Sequence, residues 1–155
     1  MNAVVESVRS LWIPLKGMNL VLPNVAVAEI IPYRVPELLE DTPEWLLGSI
    51  EWRQQILPLV AFEAVCGRPA PLAAGGARIA VLNNVKPGGR LAFYALLTAG
   101  IPRLLRADAE MLAAGEAGEL PAGAPVACGA QLAGESAVIP DMERLQDLVE
   151  SAWRG

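Results

Sequence analysis

The alternation of apolar and polar positions is sharpest between Ser49 and Arg53, where Ile50 and Trp52 interleave with Ser49, Glu51 and Arg53. A period of two is the mark of a half-buried strand. Gln54-Gln55 supplies a polar reversal, Ile56-Leu57 runs back, and Pro58 confines that second strand to an edge or a bulge. The two read as a hairpin with Arg53 at its tip or one step inside. Gln-Gln is not the Asn-Gly type that favours the tightest turns.

Similar short runs recur on both sides. Val8 to Leu15 and Met18 to Leu22 read as strands around Gly17, and Val25 to Ile31 as a third after Pro23-Asn24. In that third strand Glu29 shares a face with Val27 and Ile31, so a carboxylate stands among apolar neighbours. Pro32, Pro36 and Pro43 then punctuate an acidic surface connector, Glu37 to Glu44, with a possible helical turn over Pro43 to Leu46. Phe62 to Gly67 reads as a short helix closed by glycine. Arg68 to Gly76, with its prolines and glycines, is a linker. Beyond it, Arg78 to Leu82 and Arg90 to Leu97 form a hairpin, Ile101 to Arg106 a short strand, and Asp108 to Ala114 a helix. Val126 to Leu132 and Ser136 to Ile139 form a last hairpin. Asp141 caps a terminal helix, Met142 to Ala152, with Met142, Leu145, Leu148, Val149 and Trp153 near one face. Short strands with Gly/Pro turns and few helices predict a mainly β chain, a sandwich or barrels.

At 155 residues the chain has the size of one ordinary domain and can bury roughly 70% of its unfolded surface. No apolar run reaches the ~18 residues of a membrane span. Met1 to Ser10 lacks the pattern of a secretion signal, so a cytoplasmic protein without membrane insertion is expected. A net charge of −5 without a basic stripe argues against nucleic acid. Cys66 and Cys128 show no metal-ligand spacing and read as small buried hydrophobes.

The chemistry is notable for what it lacks. With no histidine, the chain has neither the commonest general base nor the commonest metal ligand. Lys86-Pro87-Gly88-Gly89 lacks the Gly-Lys-Ser/Thr ending of a phosphate loop and reads as a turn. No catalytic residue, metal or cofactor is expected. Glu29 and Arg53 are the polar residues that stand out, since a charge in an apolar strand wants a partner. They are expected to pair across neighbouring strands; an exposed hairpin tip for Arg53 is the simpler reading. Of Trp12, Trp45, Trp52 and Trp153, Trp12 reads as core and Trp45 as a candidate partner contact.

The central stretch resembles the signature of the CheW-like coupling proteins of bacterial chemosensory systems. In those a proline precedes a Gly-Val-Ile-Asn-Leu-Arg-Gly strand and a Val-Val-Pro-Val-Val-Asp-Leu strand. Gly48, Ile50, Arg53, Pro58 and Val60 match here; Glu51, Trp52, Gln54 and Ala61-Phe62 depart. Trp12 to Leu15 before Gly17, Leu20 to Pro23, Val27 to Ile30, Arg78 to Leu82, Leu91 to Leu97 and Val138 to Leu145 also fall in the family's order.

The resemblance implies a single domain, 1–155, of two small five-stranded SH3-like β-barrels packed together, with a groove between them. The expected barrels cover 16–67 and 77–140, the first strand (8–15) being free to pair with either, and the helix covers 141–153. It implies a non-enzymatic adaptor between the cytoplasmic tip of a methyl-accepting chemoreceptor and the regulatory domain of a CheA-type histidine kinase. Its departures suggest a divergent member of a type IV pilus-type pathway controlling twitching motility. By position, Val27, Glu29, Gly48 and Arg53 match the family's receptor-facing region, and Leu97 to Leu104 the wall beside it. A β-barrel holding a small molecule in the inter-barrel groove is the alternative.

Overall fold

The computed structural model describes residues 8–86, 88–107, 113–115, 120–132 and 134–154. Eleven strands are described: β1 Val8–Leu15, β2 Met18–Pro23, β3 Val27–Pro32, β4 Leu46–Trp52, β5 Gln55–Val60, β6 Arg78–Asn83, β7 Phe93–Thr98, β8 Arg103–Ala107, β9 Ala113–Gly115, β10 Val126–Leu132 and β11 Glu135–Pro140. The helices are α1, Phe62–Val65, and α2, Met142–Ala152, and a 3-10 turn spans Asn24–Ala26. Two expectations change locally. The third strand begins only at Val27, because the 3-10 turn absorbs Val25 and Ala26. Pro43 to Leu46 is a turn closed by Leu46 N–H donating to Pro43 O rather than a helical one. Of the helix expected over Asp108 to Ala114, the end at Ala113 and Ala114 is strand β9, and the rest lies outside the described residues.

The strands form two sheets, six-stranded in the order β8-β1-β2-β11-β10-β9 and five-stranded in the order β3-β6-β7-β5-β4. The expected barrels over 16–67 and 77–140 are therefore corrected. β1 and β2 join the C-terminal strands through the parallel contact of Leu20 with Val138, and the β6–β7 hairpin sits between β3 and β5. Local periodicity shows which residues form a strand, but carries no information about which distant strand accepts its hydrogen bonds.

Nor does either sheet close on itself through backbone pairing among the described residues. In the five-stranded sheet the reason lies at the free edge of β4. There Glu37 N–H donates to Ser49 O and Ser49 N–H to Glu37 O, both at 2.9 Å. The connector after β3 thus occupies the place β3 would need.

Alternation sorts the side chains into three cores. On β6, Ala80 and Leu82 face one core while Ile79 and Val81 face another; β7 divides Tyr94 and Leu96 from Ala95 and Leu97 in the same way. The larger core lies between the sheets, joining Leu11, Ile13, Leu15, Leu20 and Leu22 to Leu46, Phe62 and Tyr94, and α2 closes it with Leu145, Val149 and Trp153. The second core fills the curl of the five-stranded sheet, with Ile31, Ile50, Trp52, Leu57 and Ile79. The third is small: Trp12, Val21 and Ala137 on the far face of the other sheet.

Side chains fix α2 in place. Asp141 caps it, accepting from Arg144 N–H at 3.1 Å. Gln146, fully buried, donates to Asn84 Oδ1 at 2.8 Å and accepts from Val85 N–H at 2.9 Å. Glu150 Oε2 accepts from Leu91 N–H at 2.9 Å, and from Gln146 Nε2 at 3.1 Å. The Leu91 amide, chiefly, holds the Glu150 carboxyl below its ordinary range, with help from Gln146 and Arg90. A carboxyl lowered on folding stabilises the fold above its unfolded pKa and loses that contribution as pH falls through the folded value. Glu150→Gln should therefore lower the melting temperature at pH 7, where the contribution is fully present, and converge on wild type in acid, flattening the acid limb of the profile. An unchanged acid limb would show that the docking of α2 is insensitive to this charge.

Candidate functional site

The tip of the β4–β5 hairpin is a two-residue turn at Arg53 and Gln54, both at positive φ (47° and 65°), with Trp52 paired to Gln55. The reversal therefore falls one residue earlier than Gln54-Gln55. This left-handed pair matches the right-handed strand twist but costs a non-glycine residue about 1–2 kcal/mol. Gln54→Gly, the residue usual in the resembled motif, should stabilise the chain by about 1 kcal/mol in urea denaturation.

The turn carries Arg53 back over its own strand. Its guanidinium lies 4.5 Å from the Trp52 ring centroid and its Nη2 is 3.1 Å from Glu29 Oε1. The same Glu29 oxygen accepts from Trp52 Nε1 at 3.0 Å. Trp52 is 4% exposed and meets Phe93 edge-on, ring centroids 4.8 Å apart, so the indole is a fixed donor. Glu29 and Arg53 pair as expected, but not across neighbouring strands. β3 and β4 are the opposite edges of the five-stranded sheet, and these side chains join them where no ladder does. The pair is also exposed, at 40% for Glu29 and 66% for Arg53, so it is worth roughly 0–1 kcal/mol.

The other singled-out residues divide by depth. Val27 is half-buried against the inter-sheet core, as is Trp45, whose carbonyl accepts from Ala61 N–H at 2.8 Å. Gly48 is buried at φ +149°, and a Cβ there would lie 2.2 Å from Glu37 O. The backbone that approaches Gly48 is thus the chain's own connector, which leaves no room for a partner's. Leu97 is 4% exposed inside the second core, because alternation along β7 turns it inward with Ala95. Leu104 is 56% exposed. It pairs with Leu11, and cross-strand partners share a face, so Leu104 continues the inter-sheet face past the edge of β8. Trp12 is core as expected. Cys66 is buried, and burial pushes its thiol up to about 11; Cys128, expected to be buried, is exposed.

Sequence reasoning missed two side chains. Trp52 stood out as an aromatic on a strand, but its role as the donor that fixes Glu29 needs the sheet order. Glu63 is the other. It is 2% exposed, its Oε2 accepts from Lys16 N–H at 2.9 Å, and its Oε1 has no partner among the described residues. A lone carboxylate in the run Ala61-Phe62-Glu63-Ala64-Val65 was the available signal. Burial raises its carboxyl above the ordinary value, against the lowering effect of the Lys16 amide.

No described helix is long and apolar enough to cross a membrane. Among the described residues no cluster of His, Cys, Asp and Glu is placed to hold a metal ion.

Two curled sheets around a shared core, with a fixed polar cluster at one hairpin tip, define a small all-β module whose distinctive side chains lie at its surface. The CheW-like domain family model matches residues 9–150, and the chain belongs to that family. Among solved structures it is similar to the scaffolding protein TtCheW from Thermoanaerobacter tengcongensis, with a TM-score of 0.72 at 15% identity, over 90% of this chain and 88% of that one. At that identity the likeness speaks for the fold. Comparison with curated protein sequences gives no match.

Proposed function

We propose that this chain is a non-enzymatic adaptor of a bacterial chemosensory array, coupling the cytoplasmic tips of chemoreceptors to the regulatory domain of a CheA-type histidine kinase. The observation that carries this reading is the family match over residues 9–150. The structurally similar protein from T. tengcongensis is itself a scaffolding protein. The surface adds support. The inter-sheet apolar face runs out to solvent at the β8 edge through Leu104, and Val27 borders the same core from β3. A receptor helix laid along such a strip would bury apolar anchors, with Glu29 and Arg53 fixing its polar register. Trp45 is a further contact, while Gly48 and Leu97 shape the site from beneath. Gln54 and the other departures fit a divergent member serving a type IV pilus-type pathway and twitching motility.

Calorimetric titration tests this reading. Kinase regulatory domains and receptor tips from a pilus-type and a flagellar system are titrated into wild type and Val27→Arg. Micromolar binding to both partners, with Val27→Arg losing only the receptor, is expected. Binding to one partner alone makes the chain an auxiliary rather than a bridge. Binding to neither overturns the function.

A further inference from the structure

A cavity of about 270 Å³ lies where the linker after α1 passes over the junction of the two sheets. Pro71, Leu72 and Ala73 form its outer wall, and Leu97, Ala99 and Glu63 belong to the rest of its lining. Leu72 is 89% exposed and makes only a thin cover. Within this mostly apolar lining Glu63 is the anomaly. Its side chain is buried, one oxygen is held by the Lys16 amide, and the other has neither solvent nor a hydrogen-bond partner.

Neighbouring cations do not remove the anomaly. Arg68 Nη1 donates to Gly17 O at 2.8 Å, and Glu63 forms no ion pair among the described residues. Lys16 contributes its backbone amide, while its side chain stands exposed at the rim. Cys66, the remaining titratable neighbour, keeps its thiol neutral because burial raises it. Burial disfavours the charged form of Glu63, and a cationic donor beside it would offset that cost, since an ionised carboxylate accepts hydrogen bonds and donates none.

We propose that this cavity is a binding site for a small organic cation, an ammonium head on a short apolar body. The head would donate to Glu63, one of the residues lining the cavity. The body would lie against Pro71, Leu72 and Leu97. The cavity shares no lining residue with the Glu29–Arg53 cluster, and its titration needs no receptor, so its outcome is read separately from the proposed function.

The test is a titration of the full chain with n-butylammonium chloride, followed by amide chemical shifts and calorimetry, with n-butanol as the uncharged probe of equal length. Saturable shifts confined to Lys16, Glu63, the 71–74 strap and Leu97 to Ala99 are expected. Butanol should bind at least about tenfold more weakly, as should the amine to Glu63→Gln, the loss expected when a charge-assisted hydrogen bond is removed. Ala73→Phe, at an exposed position of the strap, fills the cavity without disturbing the core and should abolish the shifts. Equal binding of amine and alcohol, undiminished binding by a folded Glu63→Gln, or shifts elsewhere would each overturn the site. So would the absence of saturation.

Discussion

Gly48→Ala is expected to lose about 2–6 kcal/mol of stability, the sum of a strained backbone and a forced overlap. The methyl would sit 2.2 Å from Glu37 O and 3.0 Å from Pro36 Cβ, and φ +149° is a conformation an alanine rarely adopts. Neither neighbour is a flexible side-chain tip that could swing away. Relief requires the 36–37 segment to lift off β4, breaking the two hydrogen bonds to Ser49. Since a domain holds only about 5–15 kcal/mol in total, this one methyl is enough to bring the chain near unfolding. Urea denaturation measures the loss directly. A cost below about 1 kcal/mol would mean the connector yields easily and that Gly48 is free to serve a partner. The same experiment therefore separates the two roles proposed for this glycine.

Trp52→Ala is the second large effect, at about 3–5 kcal/mol for emptying an aromatic from a packed core. Its informative feature is the contrast with its polar neighbours. Glu29→Gln and Arg53→Ala should each cost no more than about 1 kcal/mol, because the pair is exposed. Trp52→Phe should fall between, keeping the contact with Phe93 but losing the indole donor to Glu29. In the partner titration the order should reverse. Arg53→Ala would leave the fold intact and weaken receptor binding, whereas Trp52→Phe would act only through the looser Glu29. If Arg53→Ala destabilises as much as Trp52→Ala, the cluster is structural and the receptor lies elsewhere.

These residues also show how far sequence reading reaches. The alternation of Ile50 and Trp52 with Glu51 and Arg53 announced β4, and the cap at Asp141 with the apolar stripe behind it announced α2. Both are local signals, set by the period of the backbone. Glu29 and Arg53 were paired correctly because a charge amid apolar positions has few ways to be satisfied. The geometry of that pair was not readable, since it depends on two sheet edges meeting. The turn at Arg53-Gln54 was missed by one residue because neither has the glycine or asparagine that marks a left-handed position. The fate of Gly48 was hidden for a related reason: what approaches it comes from Glu37, a residue whose neighbours read only as an acidic loop.

The exchange of hairpins between the sheets has a consequence for how the molecule is made. The apolar face of β1 and β2 finds its cover from Leu46, Phe62 and Tyr94 and also from Val138, Leu145 and Val149, which follow much later in the chain. Neither half of the chain can therefore finish a sheet by itself as it leaves the ribosome. The opening hairpin keeps part of its apolar face unshielded until β11 and α2 have followed it. A product truncated before β11 would leave β2 without its parallel neighbour and the inter-sheet core partly open, and is expected to be cleared by proteolysis.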